Sequence, residues 1–497
     1  MCIVCISTLT IATMITPANT VANLSFFEND TTVERSTKAK VQTQEFAKTV
    51  IRKAGKPCNK IGEKFPEKNG YLECRWIAGE KKVYFSLSNK LSDLKPIDSP
   101  EPYTSCRLPE AIKSRIDNWN SYLSIAYPAV KSSLNPVGTN SYLFIPIDFE
   151  DAVGTGSMNK EIDSEIKKIN EWLKWYSNGK AKVQIEYPKK WVRSSYLADD
   201  LLTFRNPGNP GDSKGKLTDK RLIEALLVDV EELYDLNQYN GVYFLPSRSA
   251  KSLENGVFMN GTFKTPKGSF TGGGYVYANT AYEREEFPWA FIMHDFLHSF
   301  GLALHAPDQG LPFGIQSSPS GGLAINKWDS MSLDWVTDSE IYCVSKENLQ
   351  PTEIELVPIE REQKGIQSIM IKLSDTKVLV IESHRRDKWG SKFQPGFYGV
   401  TTFLVDTSVQ NDATKPDSES TRFANYIKNS STRKGRIVER RFWEEIDKNG
   451  KRNFGWVTQP TWDLNYILFE KESLTTNGIK ITLKRSGNND LVAIQRV

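Results

Sequence analysis

The sequence predicts an α+β fold: a mixed sheet with a histidine-bearing helix packed on it, followed by a β-sandwich. Three observations lead there. Between residues 93 and 345, apolar runs of strand length alternate with stretches of helical period. After Cys343, short strand-like runs succeed one another with turn residues between them and little helical pattern. Three of the four histidines, His294, His298 and His305, fall within one stretch of twelve residues, and the first two stand four apart. In a helix that spacing puts both imidazoles on one face.

The chain opens with an apolar stretch from Ile3 to Ile15, then small residues ending in Thr20-Val21-Ala22. Residues 1–22 read as a signal peptide cleaved after Ala22, so export is expected. Residues 23–50 are polar and read as a linker or pro-segment. Residues 51–92 form a small module with Cys58, Cys74, Gly62, Gly70, Trp76 and a strand at Lys82–Ser86. A unit this small needs a staple. Loss of the leader removes Cys2 and Cys5 and leaves Cys58, Cys74, Cys106 and Cys343. An even number in an exported chain suggests two disulfides, with three pairings possible. Cys58–Cys74 is the natural local bridge. Cys106–Cys343 then ties the two ends of the central region.

In the central domain, residues 93–345, Ser141–Phe149 reads as a largely buried strand. Ile162, Ile166, Ile169, Leu173 and Tyr176 recur at helical spacing, and Asn178-Gly179 ends that helix. Lys182–Tyr187 alternates as a strand does. Thr218 caps a helix from Asp219 to about Tyr234. Gly241–Leu245 is a short strand. Gly272-Gly273-Gly274 leads into a strand at Tyr275–Ala278, either an edge strand near a cleft or a flexible hairpin turn. A further helix begins near Phe287, with Pro288 in its first turn. It carries His294 and His298, and Gly301 ends it. Asp148, Glu150 and Asp151 could join a calcium site, but they read equally as solvated loop carboxylates, and calcium is not assigned.

In the last domain, residues 346–497, strands are expected at Thr352–Val357, Ser368–Leu373, Lys377–Ile381, Val400–Val405, Asn465–Phe469, Ile479–Leu483 and Leu491–Ile494. Residues 407–440 form a long polar loop, an exposed insertion or a lid. His384, beside Arg385 and Arg386, reads as a surface histidine. The formal charge of +4 is small for 497 residues and the cations form no dense block, which gives no support to nucleic-acid binding. No stretch after the leader is long and apolar enough to span a membrane. A monomer is expected.

Two imidazoles at this spacing can offer nitrogens to one zinc ion, and Asp295, next to the first, can serve as general base. Gly301 lets the chain turn sharply and bring His305 back as third ligand. Asp308 is a second candidate for that place. The segment from His294 to Asp308 resembles the zinc site of metzincin metallopeptidases, and within them the immune-inhibitor-A-like and gametolysin-like secreted proteases. His294, His298 and Gly301 match that signature in register. Trp328-Asp329-Ser330-Met331-Ser332 resembles the methionine turn, which would place Met331 beneath the metal. Asp295 stands where the family has glutamate, a side chain one methylene longer. The third histidine is one residue late, since the pattern would put it at Leu304. Leu333 stands where some relatives have a metal-facing tyrosine.

The resemblance implies a metzincin-like catalytic domain and a secreted zinc endopeptidase acting on protein or peptide, with His294, His298 and His305 as ligands and Asp295 as base. It also raises the expectation of an inhibitory pro-segment within residues 23–95. The alternatives are an exported binding protein with a weakened centre, and a closed structural zinc site that also uses Asp308.

Overall fold

A computed structural model of the chain describes residues 52–78, 81–88, 98–109, 134–201, 217–253, 256–277, 288–302, 307, 311–317, 321–408, 424–430, 433, 441–446, 452–457 and 463–497. The leader, the polar segment 23–50, His305, Asp308 and most of the loop 407–440 lie outside these residues.

The first described element is a three-stranded antiparallel meander of β1 (Lys64–Glu67), β2 (Gly70–Ile77) and β3 (Lys81–Ser88). The Cys58–Cys74 disulfide sits in its core against Leu72 and Tyr84. Four core residues are too few to hold such a unit, so the bridge supplies what burial does not. A short helix α1 (Tyr103–Cys106) follows.

The central sheet is built from β4 (Gly138–Asp148), β5 (Ala181–Glu186), β6 (Val192–Arg193), β7 (Gly241–Pro246), β8 (Val257–Thr265) and β9 (Gly268–Val276). Their order is β5-β4-β7-β9-β8, with β6 extending beside the end of β4. β5, β4, β7 and β9 run parallel, and β8 closes one edge antiparallel. Three helices cover the sheet: α2 (Asn159–Tyr176), α3 (Asp219–Glu231) and α4 (Pro288–Ser299). On one face Tyr142, Phe144, Tyr243 and Tyr275 pack with α2 and α4. On the other, Leu143, Ile145, Val242 and Phe244 pack with Leu222, Ile223 and Leu226 of α3. Burial on both faces explains why β4 and β7 read as continuous apolar runs.

The glycine run is neither an approach nor an edge. It lies inside β9, which pairs on both sides, and the edge strand is β8. A Cβ at Gly274 would meet Ile223 of α3 at 2.7 Å, and one at Gly273 would meet the Tyr275 hydroxyl at 2.5 Å. Close packing, not flexibility, requires glycine there. β8 escaped the sequence reading because Asn260, Gly261 and Thr262 interrupt its apolar alternation.

Beyond the central sheet come α5 (Lys327–Ser332), β10 (Ile341–Ser345), β11 (Thr352–Leu356), β12 (Ser368–Lys372), β13 (Lys377–His384), β14 (Gly399–Asp406), β15 (Ala424–Tyr426), the hairpin β16 (Arg441–Ile446) and β17 (Arg452–Val457), then β18 (Ser473–Thr476), β19 (Ile479–Ser486) and β20 (Asp490–Arg496). β10-β12-β13-β14-β15 form one sheet and β11-β20-β19-β18 another. Leu379 and Ile381 of the first share a core with Ile354, Ile481 and Val492 of the second. The Cys106–Cys343 disulfide fastens α1 to β10. Asn465–Phe469 is not a strand: Asp463 accepts from the Asn465 amide at 2.9 Å and starts a tight 3-10 turn over Leu464–Tyr466.

Candidate metal centre

Helix α4 is placed by capping and by burial. Glu165 of α2 accepts from the Trp289 amide at 2.5 Å, a carboxylate at the positive end of the α4 dipole. Ile292, Met293, Phe296 and Leu297 are buried in the core, and Phe296 stacks on Tyr142 with ring centroids 4.0 Å apart. At the other end Gly301 takes φ +100°. Its amide donates to His298 O, and the Leu302 amide donates to Leu297 O at 3.0 Å. Only glycine enters that backbone region without strain, and it stops the helix one turn beyond the histidines.

His294 and His298 are both buried, at 6% and 4% exposure. His294 Nδ1 lies 2.9 Å from Ile315 O, and His298 Nδ1 lies 3.5 Å from Leu302 O. A carbonyl only accepts, so each Nδ1 carries the hydrogen and each Nε2 keeps its lone pair. The two Nε2 atoms stand 3.1 Å apart. Zinc–nitrogen bonds of about 2.0–2.1 Å put two tetrahedral vertices about 3.3 Å apart, so the pair fits one ion. Burial lowers the His294 pKa to about 4, with the Ile315 bond opposing. Burial, then the neighbouring His294, holds His298 well below its ordinary value. Both rings are neutral at physiological pH, the form that binds metal.

Asp295 follows His294 on α4, and its carboxylate meets the sheet beneath the helix. Burial pushes its pKa up to about 7, while a hydrogen bond from the Tyr243 hydroxyl, 2.8 Å from Oδ2, pulls it down. Tyr243 comes from β7 and stacks on Tyr275 of β9 at 5.0 Å. The edge strand β8 also reaches the site, with the Phe258 ring 5.6 Å from that of His298. Ser299 at the end of α4 donates to Asn260 Oδ1 of β8 at 3.3 Å.

The structure thus brings the His294 and His298 rings together, while the Asp295 carboxylate, next along the helix, meets Tyr243 of β7. Among the described residues no three His, Cys, Asp or Glu side chains gather as a metal site, and the third-ligand candidates His305 and Asp308 lie outside those residues. Met331 lies on the short helix α5. It is buried among Phe313, Trp328 and the Cys106–Cys343 pair, in a different core cluster from that of Met293 and Phe296. Tyr243, Phe258 and the Ile315 carbonyl were not singled out from the sequence. Strand alternation gives the face that Tyr243 shares with Tyr275, but nothing local names Asp295 as its partner.

Two expectations need correction. His384 is not at the surface: it is fully buried, with Nδ1 2.6 Å from Glu360 Oε1 and Nε2 2.9 Å from Thr401 Oγ1. Partners on both nitrogens make that burial tolerable. Asp148 is not a solvated loop carboxylate: it is buried and takes two bonds from Arg193, at 2.7 and 2.8 Å, and one from the Gly154 amide. Asp151 accepts from the amides of Ala198 and Asp199. No protein-family model matches this chain, and none of the curated proteins compared with it matches significantly.

Proposed function

We propose that the protein is a secreted zinc-dependent endopeptidase with a metzincin-like catalytic domain followed by a β-sandwich. The observation that carries this reading is the pair of neutral histidines whose Nε2 atoms converge at 3.1 Å while both Nδ1 atoms face carbonyls. His294 and His298 would hold the ion, with His305, or failing it Asp308, completing the set. A zinc ion held by three protein ligands supplies a Lewis acid and an acidified water. Asp295, which titrates near neutrality, takes the proton of the attacking water on its carboxylate and passes it to the leaving amine. Tyr243 orients that carboxylate from the sheet. The edge strand β8 offers main-chain groups beside His298 on which an extended peptide can lie. The two disulfides support an oxidising compartment, hence export.

A second reading has its own observation. Tyr243 ties Asp295 to β7. Aspartate reaches less far than glutamate, and a misplacement of about 1 Å can cost about a hundredfold in rate. On that reading the scaffold binds metal and a partner but cuts slowly or not at all. Metal analysis combined with a screen of unstructured peptides separates the two. Zinc bound at one per chain, with cleavage lost on chelation and in Asp295→Asn, supports the peptidase. Zinc without cleavage supports the binding protein. No zinc in the wild type, or zinc that persists in His298→Ala, refutes both.

A further inference from the structure

We propose that the disulfide-stapled module at residues 52–88 binds an acidic polysaccharide. The module carries a local surplus of positive charge. Between Arg52 and Ser88 stand nine cations and four carboxylates, a surplus of five against +4 for the entire chain, which leaves the remainder at −1. A local surplus of this kind attracts an anionic partner when its cations are exposed and not paired within the fold.

The structure keeps these cations available. Arg52, Lys53, Lys56, Lys60, Lys64, Lys68 and Lys81 are exposed, and Lys82 is half-buried. The described carboxylates of the module are engaged elsewhere. Glu73 pairs with the buried Arg75 at 2.8 Å, Glu63 accepts from the Tyr84 hydroxyl at 3.2 Å, and Glu67 accepts from Ser86 at 2.5 Å. Among the described residues none of the eight outer cations forms an ion pair. Segment 55–58 pairs along β3 through Gly55 N to Tyr84 O and Cys58 N to Lys82 O, which gathers Lys53, Lys56, Lys60, Lys81 and Lys82 along one edge. Aromatic rings hold three cations in place: Arg52 over Phe65 at 3.8 Å, Lys64 over Tyr71 at 4.7 Å and Lys82 over Trp76 at 5.9 Å. The module is also fixed to the strands that follow it. Arg75 donates to Gly487 O at 2.9 Å, Ala78 N donates to Glu470 O, and Trp76 meets Phe469.

The partner class follows from what the surface lacks and where it operates. Among the described residues none of the large exposed apolar side chains lies in the module, so these residues offer no wedge to insert into a lipid surface. Its rings are covered by cations on one face instead of standing clear for base stacking. Two disulfides point to an oxidising compartment, where long polyanions are acidic glycans.

The test uses the full chain and heparin as the probe. Heparin is expected to bind with a linear fall of log affinity against log salt. Engagement of about three cations predicts a loss on the order of fiftyfold between 50 and 200 mM salt. The variant K53E/K56E/K60E should lose binding by at least tenfold, and K64E/K68E should weaken it on the opposite edge. The control K167E/K174E/K182E, exposed positions elsewhere, should leave it unchanged. Circular dichroism and an intact Cys58–Cys74 bridge certify that each variant is folded. The proposal is overturned if heparin fails to bind at 50 mM salt or if the folded K53E/K56E/K60E variant binds as wild type does. Tighter binding of duplex DNA, or of vesicles with anionic lipid, at the same salt would overturn it equally.

Discussion

Tyr243 sets how readily Asp295 ionises, and its removal should be visible without any assay of catalysis. The tyrosine hydroxyl donates to Asp295 Oδ2 at 2.8 Å and favours the carboxylate, against burial that lifts the pKa from 3.8 to about 7. A hydrogen bond to a charged group contributes about 1.5–3 kcal/mol, and one pKa step corresponds to about 1.36 kcal/mol. In metal-free protein, Tyr243→Phe should therefore move the Asp295 titration up by about one to two steps. Stability carries the same signature. With the folded pKa above the unfolded one, the contribution of Asp295 is most favourable below about pH 4 and is lost as pH rises through about 7. Full burial would make that loss about 4 kcal/mol; Asp295 is partly exposed, and water reaching it brings the figure to about 2 kcal/mol. Carbon-13 NMR of the aspartate carboxyls, with urea denaturation from pH 4 to 9 in chelator, reads both effects. Asp295→Asn should flatten the stability profile by that amount. An Asp295 titration unchanged in Tyr243→Phe, or a profile for Asp295→Asn parallel to wild type, would refute the reasoning.

Other perturbations have equally definite outcomes. His298→Ala should abolish zinc binding measured by mass spectrometry of metal content while the fold, read by circular dichroism, persists. Replacing both Cys106 and Cys343 by serine opens a bridge across 237 positions and should cost about 5 kcal/mol in denaturant unfolding. His384→Ala strips a 2.6 Å hydrogen-bond partner from the buried Glu360 side chain and should cost roughly 1–3 kcal/mol in the same measurement. Burial pushes Asp329 up to about 8, with the neighbouring Glu382 adding to the rise. Asp329→Asn should therefore gain on wild type steadily from pH 4 to pH 8 and then level off; a gap independent of pH would contradict it.

What could be read from the sequence was local. The α4 helix and its histidine face follow from period and from Gly301, the Cys58–Cys74 bridge formed as its short spacing suggested, and Cys106–Cys343 formed as the remaining pair. Tyr243 could not be found that way. It meets Asp295 across 52 positions because β7 lies beneath α4, and sheet order leaves no trace in either segment. The glycine run misled for a related reason. Its meaning lies in Ile223 of α3 and in the Tyr275 ring, which are contacts made only after the sheet is assembled.

His384 shows why polarity alone is a poor guide to burial. His384-Arg385-Arg386 looks like a solvated triplet. Yet His384 is taken inward by Glu360, 24 positions upstream, and Arg385 by Asp490, 105 positions downstream. Each polar group would be costly to bury alone, and each is tolerated because its partner arrives with it. The exposed module shows the converse. Its lysines are ordinary residues one by one, and they acquire meaning only because the nearby carboxylates are bonded to Arg75, Tyr84 and Ser86. In both places the informative quantity is the pairing of a charge, which a single sequence does not display. The candidate centre is subject to the same condition: His294 and His298 matter because Ile315 and Leu302 orient them towards a common point, and two histidines four apart without those carbonyls would be an ordinary helix face.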